Sequence, residues 1–211
     1  IQWLQIVAES DGAVCISKTV SHELSEWIGR GAELHGRSFR VDWFHLGADI
    51  TKSRPTQGLP SGADATLEQL NSRPTFLMVG TIEPRKGHDQ VLDAFDLLWT
   101  EGSEINLVIV GKIGWMVEIL AQRINHHPQL NYRLFWQKDI SDEFLEKIYA
   151  ASTCLIAASY GEGFGLPLIE AAQHKLPIIA RDIPIFREVA GEHACYFCLL
   201  YTSPSPRDQR G

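Results

Sequence analysis

The feature that most constrains the fold is a series of apolar segments that alternate with helical patterns between residues 74 and 197. These segments predict strands at 75–80, 105–111, 132–135, 154–159 and 177–180. Their apolar residues are continuous rather than alternating with polar ones, which indicates strands buried on both faces. Strands separated by helices form parallel sheets through right-handed crossovers. The sequence therefore predicts an α/β fold with a Rossmann-like, doubly wound parallel sheet, in which ligands bind beyond the carboxyl ends of the strands.

The regions outside this pattern carry weaker signals. A strand is predicted at 12–16, followed by a helix that Ser17 caps, and another strand is predicted at 39–47. Residues 51–73 are rich in Ser, Thr, Pro and Gly and lack periodicity, so we expect a linker or surface loop there. Residues 198–211 contain two Ser-Pro pairs and no core pattern. We interpret this last segment as a non-native tail and exclude it from the predicted fold.

Composition and charge argue against several classes of function. The chain has 19 Lys and Arg against 26 Asp and Glu, which gives a net charge of −7. A general nucleic-acid binder needs a basic face, so we expect no nucleic-acid partner. Apolar runs stay below the roughly 18–20 residues that cross a bilayer, and the cysteine usage favours a reduced, cytoplasmic setting. Cys195 and Cys198 have metal-type spacing without a second Cys or His pair, so we predict no metal site.

The segment SYGEGFGLPLIEAA at 159–172 is the strongest candidate for a binding site. Three glycines make a flexible turn after a predicted strand: Gly161, Gly163 and Gly165. Pro167 suits the first turn of a helix, where its missing N–H costs little. The free amides and the dipole at such a helix start attract an anion.

Two carboxylates flank this predicted anion site. Glu162 lies in the glycine turn, and Glu170 lies about one turn into the following helix. Carboxylates repel phosphates, but they accept hydrogen bonds from neighbouring sugar hydroxyls. The segment therefore favours a ligand that carries a diphosphate between two hydroxyl-bearing ends, as a nucleotide sugar does.

A second motif, VGTIEPRKGH at 79–88, places two cations after a predicted strand. The strand ends at Gly80, and the turn that follows presents Arg85 and Lys86 before Gly87 leads into a helix. Lysine supplies a point charge and arginine a bidentate fork, so adjacent cations at the carboxyl edge of a sheet suit a diphosphate.

The two motifs, in this order, resemble family 4 retaining glycosyltransferases of the GT-B fold, and bacterial mannosyltransferases among them. The resemblance is carried by the glutamates spaced by seven residues in EGFGLPLIEA and by TIEPRKGH, and it covers about residues 10–197. It implies that residues 74–197 form the C-terminal, nucleotide-sugar-binding domain. Residues 1–50 would be the end of the N-terminal, acceptor-side domain and its crossover, and the chain would be truncated.

The same resemblance assigns roles by position. Lys86 binds the donor phosphates and stabilises charge on the leaving group, and Arg85 supports it because Thr81 stands where many members carry an arginine. Glu162 contacts the hydroxyls of the donor sugar, and Glu170 holds the ribose diol. The predicted donor site also includes the backbone around 163–166 and the end of the strand at 75–80. These residues are Gly80, Gly163, Phe164, Gly165 and Leu166. Residues 136–140 are expected to line the base pocket.

The predicted function is transfer of a hexose from a nucleoside-diphosphate sugar to a glycan or lipid-linked acceptor, with retention. GDP-mannose is the expected donor, and bacterial surface polysaccharide synthesis is the expected setting, with peripheral membrane association through a missing half. The sequence contains no Asp-x-Asp motif, so we expect no metal or other cofactor. We also expect the chain to be inactive by itself. Two alternatives stay open, a nucleotide-sugar epimerase of the same architecture and a non-catalytic nucleotide-sugar-binding module.

Overall fold

The structure is a computed structural model that describes residues 2–30, 38–47 and 54–198. In that part of the chain the larger sheet has six strands: β3 (Thr75–Val79), β4 (Asn106–Val110), β5 (Leu134–Gln137), β6 (Cys154–Ala157), β7 (Ile178–Arg181) and β8 (Cys195–Phe197). All are parallel to their neighbours, in the order β5-β4-β3-β6-β7-β8. The order reverses between β3 and β6, and the crevice at such a switch point is where doubly wound sheets bind ligands.

Helices cover both faces of this sheet, as the continuous apolar strands predict. The α-helices of the described residues are α1 (Gln2–Ala8), α2 (Lys18–Gly29), α3 (Ala63–Asn71), α4 (His88–Thr100), α5 (Glu118–Asn125), α6 (Asp142–Ala151), α7 (Leu166–Gln173) and α8 (Pro184–Ala190), of which α3 to α8 pack on this sheet. One core lies between the sheet and α3, α6, α7 and α8, and a second lies between the sheet and α4 and α5. Adjacent residues of β3 show the division, because Leu77 belongs to the first core and Met78 to the second. The doubly wound α/β fold is confirmed.

A smaller unit precedes this sheet. Strands β1 (Gly12–Cys15) and β2 (Arg40–Trp43) pair in parallel, and α2 follows β1. Ser17 caps α2 as predicted, since its side chain accepts a hydrogen bond from the backbone N–H of Val20. No helix in the described residues is long and apolar enough to cross a membrane.

The expectation of a linker or loop at 51–73 is wrong for the second half of that segment. Residues Ala63–Asn71 form α3, and Leu70 is fully buried in the core beside α6. The preceding loop is also held in place, because Thr56 and Gly58 hydrogen-bond to carboxylates of α6. The sequence pattern did not predict this helix because it is short and presents few apolar side chains to the core.

Two further differences are small. Strand β5 begins two residues later than predicted, and β8 is an additional edge strand.

Residues 1, 31–37, 48–53 and 199–211 are outside the described part of the chain. The predicted tail at 198–211 therefore falls outside it except for Cys198, and the predicted N-terminal segment at 1–50 is described only in part.

Candidate functional site

The basic turn lies at the switch point because two glycines allow it to pack there. Gly80 ends β3 with a φ of +140°, and a side chain at this position would lie 3.3 Å from Lys86 Nζ. Gly87 ends the turn with a φ of +69°, and a Cβ there would lie 2.5 Å from the carbonyl oxygen of Ala158. The backbone N–H of Tyr160 donates to the carbonyl of Arg85 at 2.8 Å. The turn after β3 is thus fixed against the loop after β6.

Glu162 is the point on which the two cations converge. Lys86 Nζ pairs with its Oε1, and Arg85 Nη1 donates to its Oε2 at 2.8 Å. Ser159 Oγ also donates to Oε1 at 2.8 Å. Burial alone raises the pKa of Glu162, but the hydrogen bond and charge of Lys86, with the hydrogen bonds from Arg85 and Ser159, outweigh burial and hold this pKa below its ordinary value. The carboxylate therefore stays ionised at neutral pH.

The cluster holds two cations and, with Glu83, two carboxylates. Two cations face Glu162, and Arg85 also pairs through Nε with Glu83 at 2.9 Å. The Arg85 side chain is 44% exposed, whereas the Lys86 side chain is 14% exposed. Arg85 can therefore turn toward an incoming anion, while Lys86 acts from a fixed position. The sequence predicted that these three side chains act on one ligand, but not that both Glu162 oxygens already accept hydrogen bonds.

The start of α7 lies beside this cluster. Gly165 precedes the helix in the left-handed region, with a φ of +93°, and no side chain of the described residues caps the helix. Uncapped amides at a helix start attract anions. Phe164 is 5% exposed, so its side chain anchors the loop and only its backbone can serve a ligand, whereas Leu166 is 43% exposed.

Glu170 faces a different neighbour from Glu162. Its Oε2 accepts a hydrogen bond of 2.6 Å from the hydroxyl of Tyr149, a buried residue of α6. Burial, followed by the charge of Glu170, raises the pKa of Tyr149, so the hydroxyl keeps its proton and acts as the hydrogen-bond donor. The Tyr149 ring stacks on His174 with 4.9 Å between ring centroids. Within the described residues, the structure thus brings Lys86, Arg85 and Glu162 together but shows no hydrogen bond or ion pair between them and Glu170.

A small cavity is lined in part by Lys86 and Glu162. Its volume is about 20 Å³, which is room for one water molecule, and its lining includes Ser159, Gly165 and His88. His88 is 2% exposed, and its Nδ1 has no hydrogen-bond partner in the part of the chain that the structure describes. Burial lowers the pKa of His88 to about 4, and the charge of Lys86 adds to this effect. His88 is therefore neutral at pH 7, a state that its sequence neighbourhood does not reveal.

The segment expected to line a base pocket follows β5 at the same edge of the sheet. Trp136 Nε1 donates to the carbonyl of Gly111 at 3.0 Å, and Lys138 Nζ lies 3.4 Å from the centre of the Trp136 ring. These contacts fix the indole at the ends of β4 and β5. Its role toward a base stays a prediction.

A family model described as glycosyl transferases group 1 matches residues 65–205 of this chain. The chain belongs to this family. Membership confirms the resemblance to glycosyltransferases, while the family 4 subclass and the retaining mechanism stay predictions. The matched segment contains the complete six-stranded sheet and both motifs of the site.

Relatives of this glycosyl transferases group 1 chain include bacterial mannosyltransferases. This chain is 53% identical to the serotype-specific mannosyltransferase WbdA of Escherichia coli over 198 residues, and the alignment covers 92% of this chain. The chain spans 24% of the length of that relative.

Solved structures share the fold of this group 1 chain at low sequence identity. HepE of Anabaena, in complex with UDP and glucose, superposes with a TM-score of 0.62 at 16% identity, over 90% of this chain and 49% of HepE. An α,α-trehalose 6-phosphate synthase from Burkholderia multivorans superposes with a TM-score of 0.69 at 13% identity, over 93% of this chain and 50% of that one. These likenesses confirm the GT-B type of fold.

Proposed function

We propose that this chain is the nucleotide-sugar-binding part of a retaining glycosyltransferase that moves mannose from GDP-mannose to a glycan or lipid-linked acceptor. The observation that carries the proposal is the convergence of Lys86 and Arg85 on Glu162, beside the uncapped start of α7 at the switch point of the sheet. The 53% identity to WbdA supports mannose as the sugar. We place the whole protein in the cytoplasm, peripheral to the inner face of the membrane.

In this proposal the protein assists departure of the nucleotide. The bond between C1 of mannose and the β-phosphate oxygen breaks, and GDP takes the electron pair. The oxygen of an acceptor hydroxyl bonds to C1, and its proton passes to the departing phosphate. Lys86 and Arg85 offset the charge that grows on the departing diphosphate, and the amides at the start of α7 add partial positive charge. Once the nucleotide sugar is bound, these donors are already in place and do not reorganise during the reaction, so their full effect is available in the transition state. We propose no role for a metal or another cofactor.

The two glutamates hold the ends of the donor. When Arg85 turns from Glu162 toward the diphosphate, Glu162 keeps its hydrogen bond from Ser159 at Oε1, and its Oε2 becomes available to hydroxyls of the mannose. Tyr149 occupies one oxygen of Glu170, which leaves the other for a ribose hydroxyl. Tyr149 thereby orients the Glu170 carboxylate, a function that the sequence motifs did not assign.

The test is calorimetric titration of this chain with GDP-mannose, UDP-glucose and GDP. Lys86→Met removes a charge from the diphosphate site while keeping the length of the side chain, and we expect at least a tenfold loss of GDP-mannose affinity. Lys147→Met, at an exposed position of α6, is the matched control and should bind within twofold of the unmodified chain. Equal affinity of the two variants, or no binding of any of these ligands by the unmodified chain, contradicts the proposal.

A further inference from the structure

The turn between β1 and α2 touches the glycine loop of the candidate site directly. Ser17 is completely buried, and its Oγ donates a hydrogen bond of 2.8 Å to the carbonyl of Gly163. The same Oγ accepts from the backbone N–H of Val20 at 3.2 Å, which is the cap of α2. One hydroxyl therefore joins the first turn of α2 to a loop 146 residues further along the chain.

Two further contacts accompany this hydrogen bond. Gly163 packs on Ile16, because a Cβ at Gly163 would lie 2.9 Å from Ile16 Cδ1. The ring of His45 lies 5.6 Å from the ring of Phe164, measured between centroids. The loop is thus held from the β1–β2 side at two consecutive residues, Gly163 and Phe164.

A carboxylate of α8 fixes the turn itself. Glu188 accepts hydrogen bonds of 2.7 Å from the backbone amides of Lys18 and Thr19, and it accepts another from Thr19 Oγ1 at 2.6 Å. His45 Nε2 lies 2.6 Å from Oε1 of the same carboxylate. Burial raises the pKa of Glu188, but the hydrogen bonds from Thr19 and His45 hold it at about 2. These hydrogen bonds fix the start of α2, which the glycine loop contacts through Gly163.

We propose that Ser17 is a positioning residue of the donor site, whose hydrogen bond to Gly163 holds the glycine loop in its binding shape. This inference rests on the proposed function. Glycines at 161, 163 and 165 give this loop high conformational entropy. If the loop becomes ordered only when the ligand binds, the loss of that entropy weakens affinity. Ser17 orders the loop in advance, so Glu162 and the amides at the start of α7 are already placed when the donor arrives.

The experiment compares Ser17→Ala with Ser152→Ala. Ser152 is also buried, and its hydroxyl also donates to a backbone carbonyl, that of Ile148 at 2.7 Å. It precedes β6, at the amino edge of the sheet, away from the candidate site. For Ser17→Ala we expect GDP-mannose affinity to fall about fivefold, the equivalent of one hydrogen bond, while Ser152→Ala stays within twofold. Ser17→Thr, which retains the hydroxyl, should restore most of the affinity.

Hydrogen exchange without ligand separates this inference from the proposed function. Ser17→Ala should speed amide exchange at 162–166 by about fivefold, and Ser152→Ala should leave those amides unchanged. If Ser17→Ala is too unstable to study, Ile16→Ala removes the neighbouring contact with Gly163, leaves the cap of α2 intact and should produce the same local increase. Unchanged exchange and affinity in these variants overturn the positioning role. A different result would be faster loop exchange in Ser17→Ala together with no binding of GDP-mannose by the unmodified chain. That result overturns both the donor-site role of Ser17 and the proposed function, and shows that the contact with Gly163 is only structural.

Discussion

His88 makes the stability of this domain depend on pH in a way that can be calculated. The imidazole is 2% exposed, and its pKa is lowered to about 4 in the folded chain, against about 6.5 when exposed. Between these two values the unfolded chain binds a proton that the folded chain does not bind. Above about pH 6.5 neither state binds this proton, and His88 does not lower the free energy of unfolding. As the pH falls from about 6.5 toward 4, protonation of the unfolded chain lowers the free energy of unfolding progressively.

The magnitude follows from the difference between the two pKa values. A difference of about 2.5 units at 1.36 kcal/mol per unit amounts to about 3 kcal/mol in total, of which about 2 kcal/mol is lost between pH 7.5 and pH 5. His88→Leu removes the titrating group and fills a site that already contacts an apolar core. We expect this variant to lose about 2 kcal/mol less than the unmodified chain over that interval.

Urea denaturation at pH 7.5 and pH 5 measures this difference. Carboxylates with lowered pKa, Glu162 and Glu188 among them, also destabilise the folded chain as the pH falls, so only the comparison between the two proteins isolates His88. Equal losses in the unmodified chain and in His88→Leu would refute the reasoning. That result would mean that the folded structure admits water or a proton to the imidazole.

The remaining predictions concern the basic turn and the donor. Gly87→Ala should lower the free energy of unfolding by more than about 2 kcal/mol, because a left-handed φ and a clash with the carbonyl of Ala158 add together. Gly102→Ala, which also has a positive φ but open space around it, should cost only about 1 kcal/mol by urea denaturation, and equal costs would argue against close packing of the turn on Ala158. Glu170→Gln should weaken GDP-mannose binding about tenfold in a calorimetric titration and leave mannose 1-phosphate binding unchanged, since only the former carries a ribose. A similar loss for both ligands would remove Glu170 from the ribose site.

The fold could be predicted from the sequence where burial is complete on both faces of a strand. Residues 106–110 are all buried, in agreement with the strand buried on both faces that the apolar pattern of β4 predicted. The start of β5 differs from its predicted position because Tyr132 is 50% exposed and belongs to the preceding turn, while Trp136 and Gln137 are only partly buried. Partial burial weakens the apolar signal by which strand ends are recognised.

The site could be predicted as far as its elements, but not its pairings. A parallel sheet brings the turn after β3 and the loop after β6 to one edge, so their motifs were sufficient to predict that Lys86 and Glu162 act on one ligand. Their ion pair, and the contact between Tyr149 and Glu170, depend on how separate elements pack. Ser17 shows the same limit, since its role as a helix cap is local, whereas its contact with Gly163 follows only from the tertiary fold.

A crystal structure of this chain with GDP-mannose tests most directly whether a diphosphate binds at the switch point. We predict phosphate oxygens within hydrogen-bonding distance of Lys86 Nζ and the Arg85 guanidinium, next to the start of α7. A donor bound elsewhere, such as the surface pocket lined by His22 of α2 and Arg187 of α8, with the Lys86–Glu162 pair untouched, would contradict that prediction.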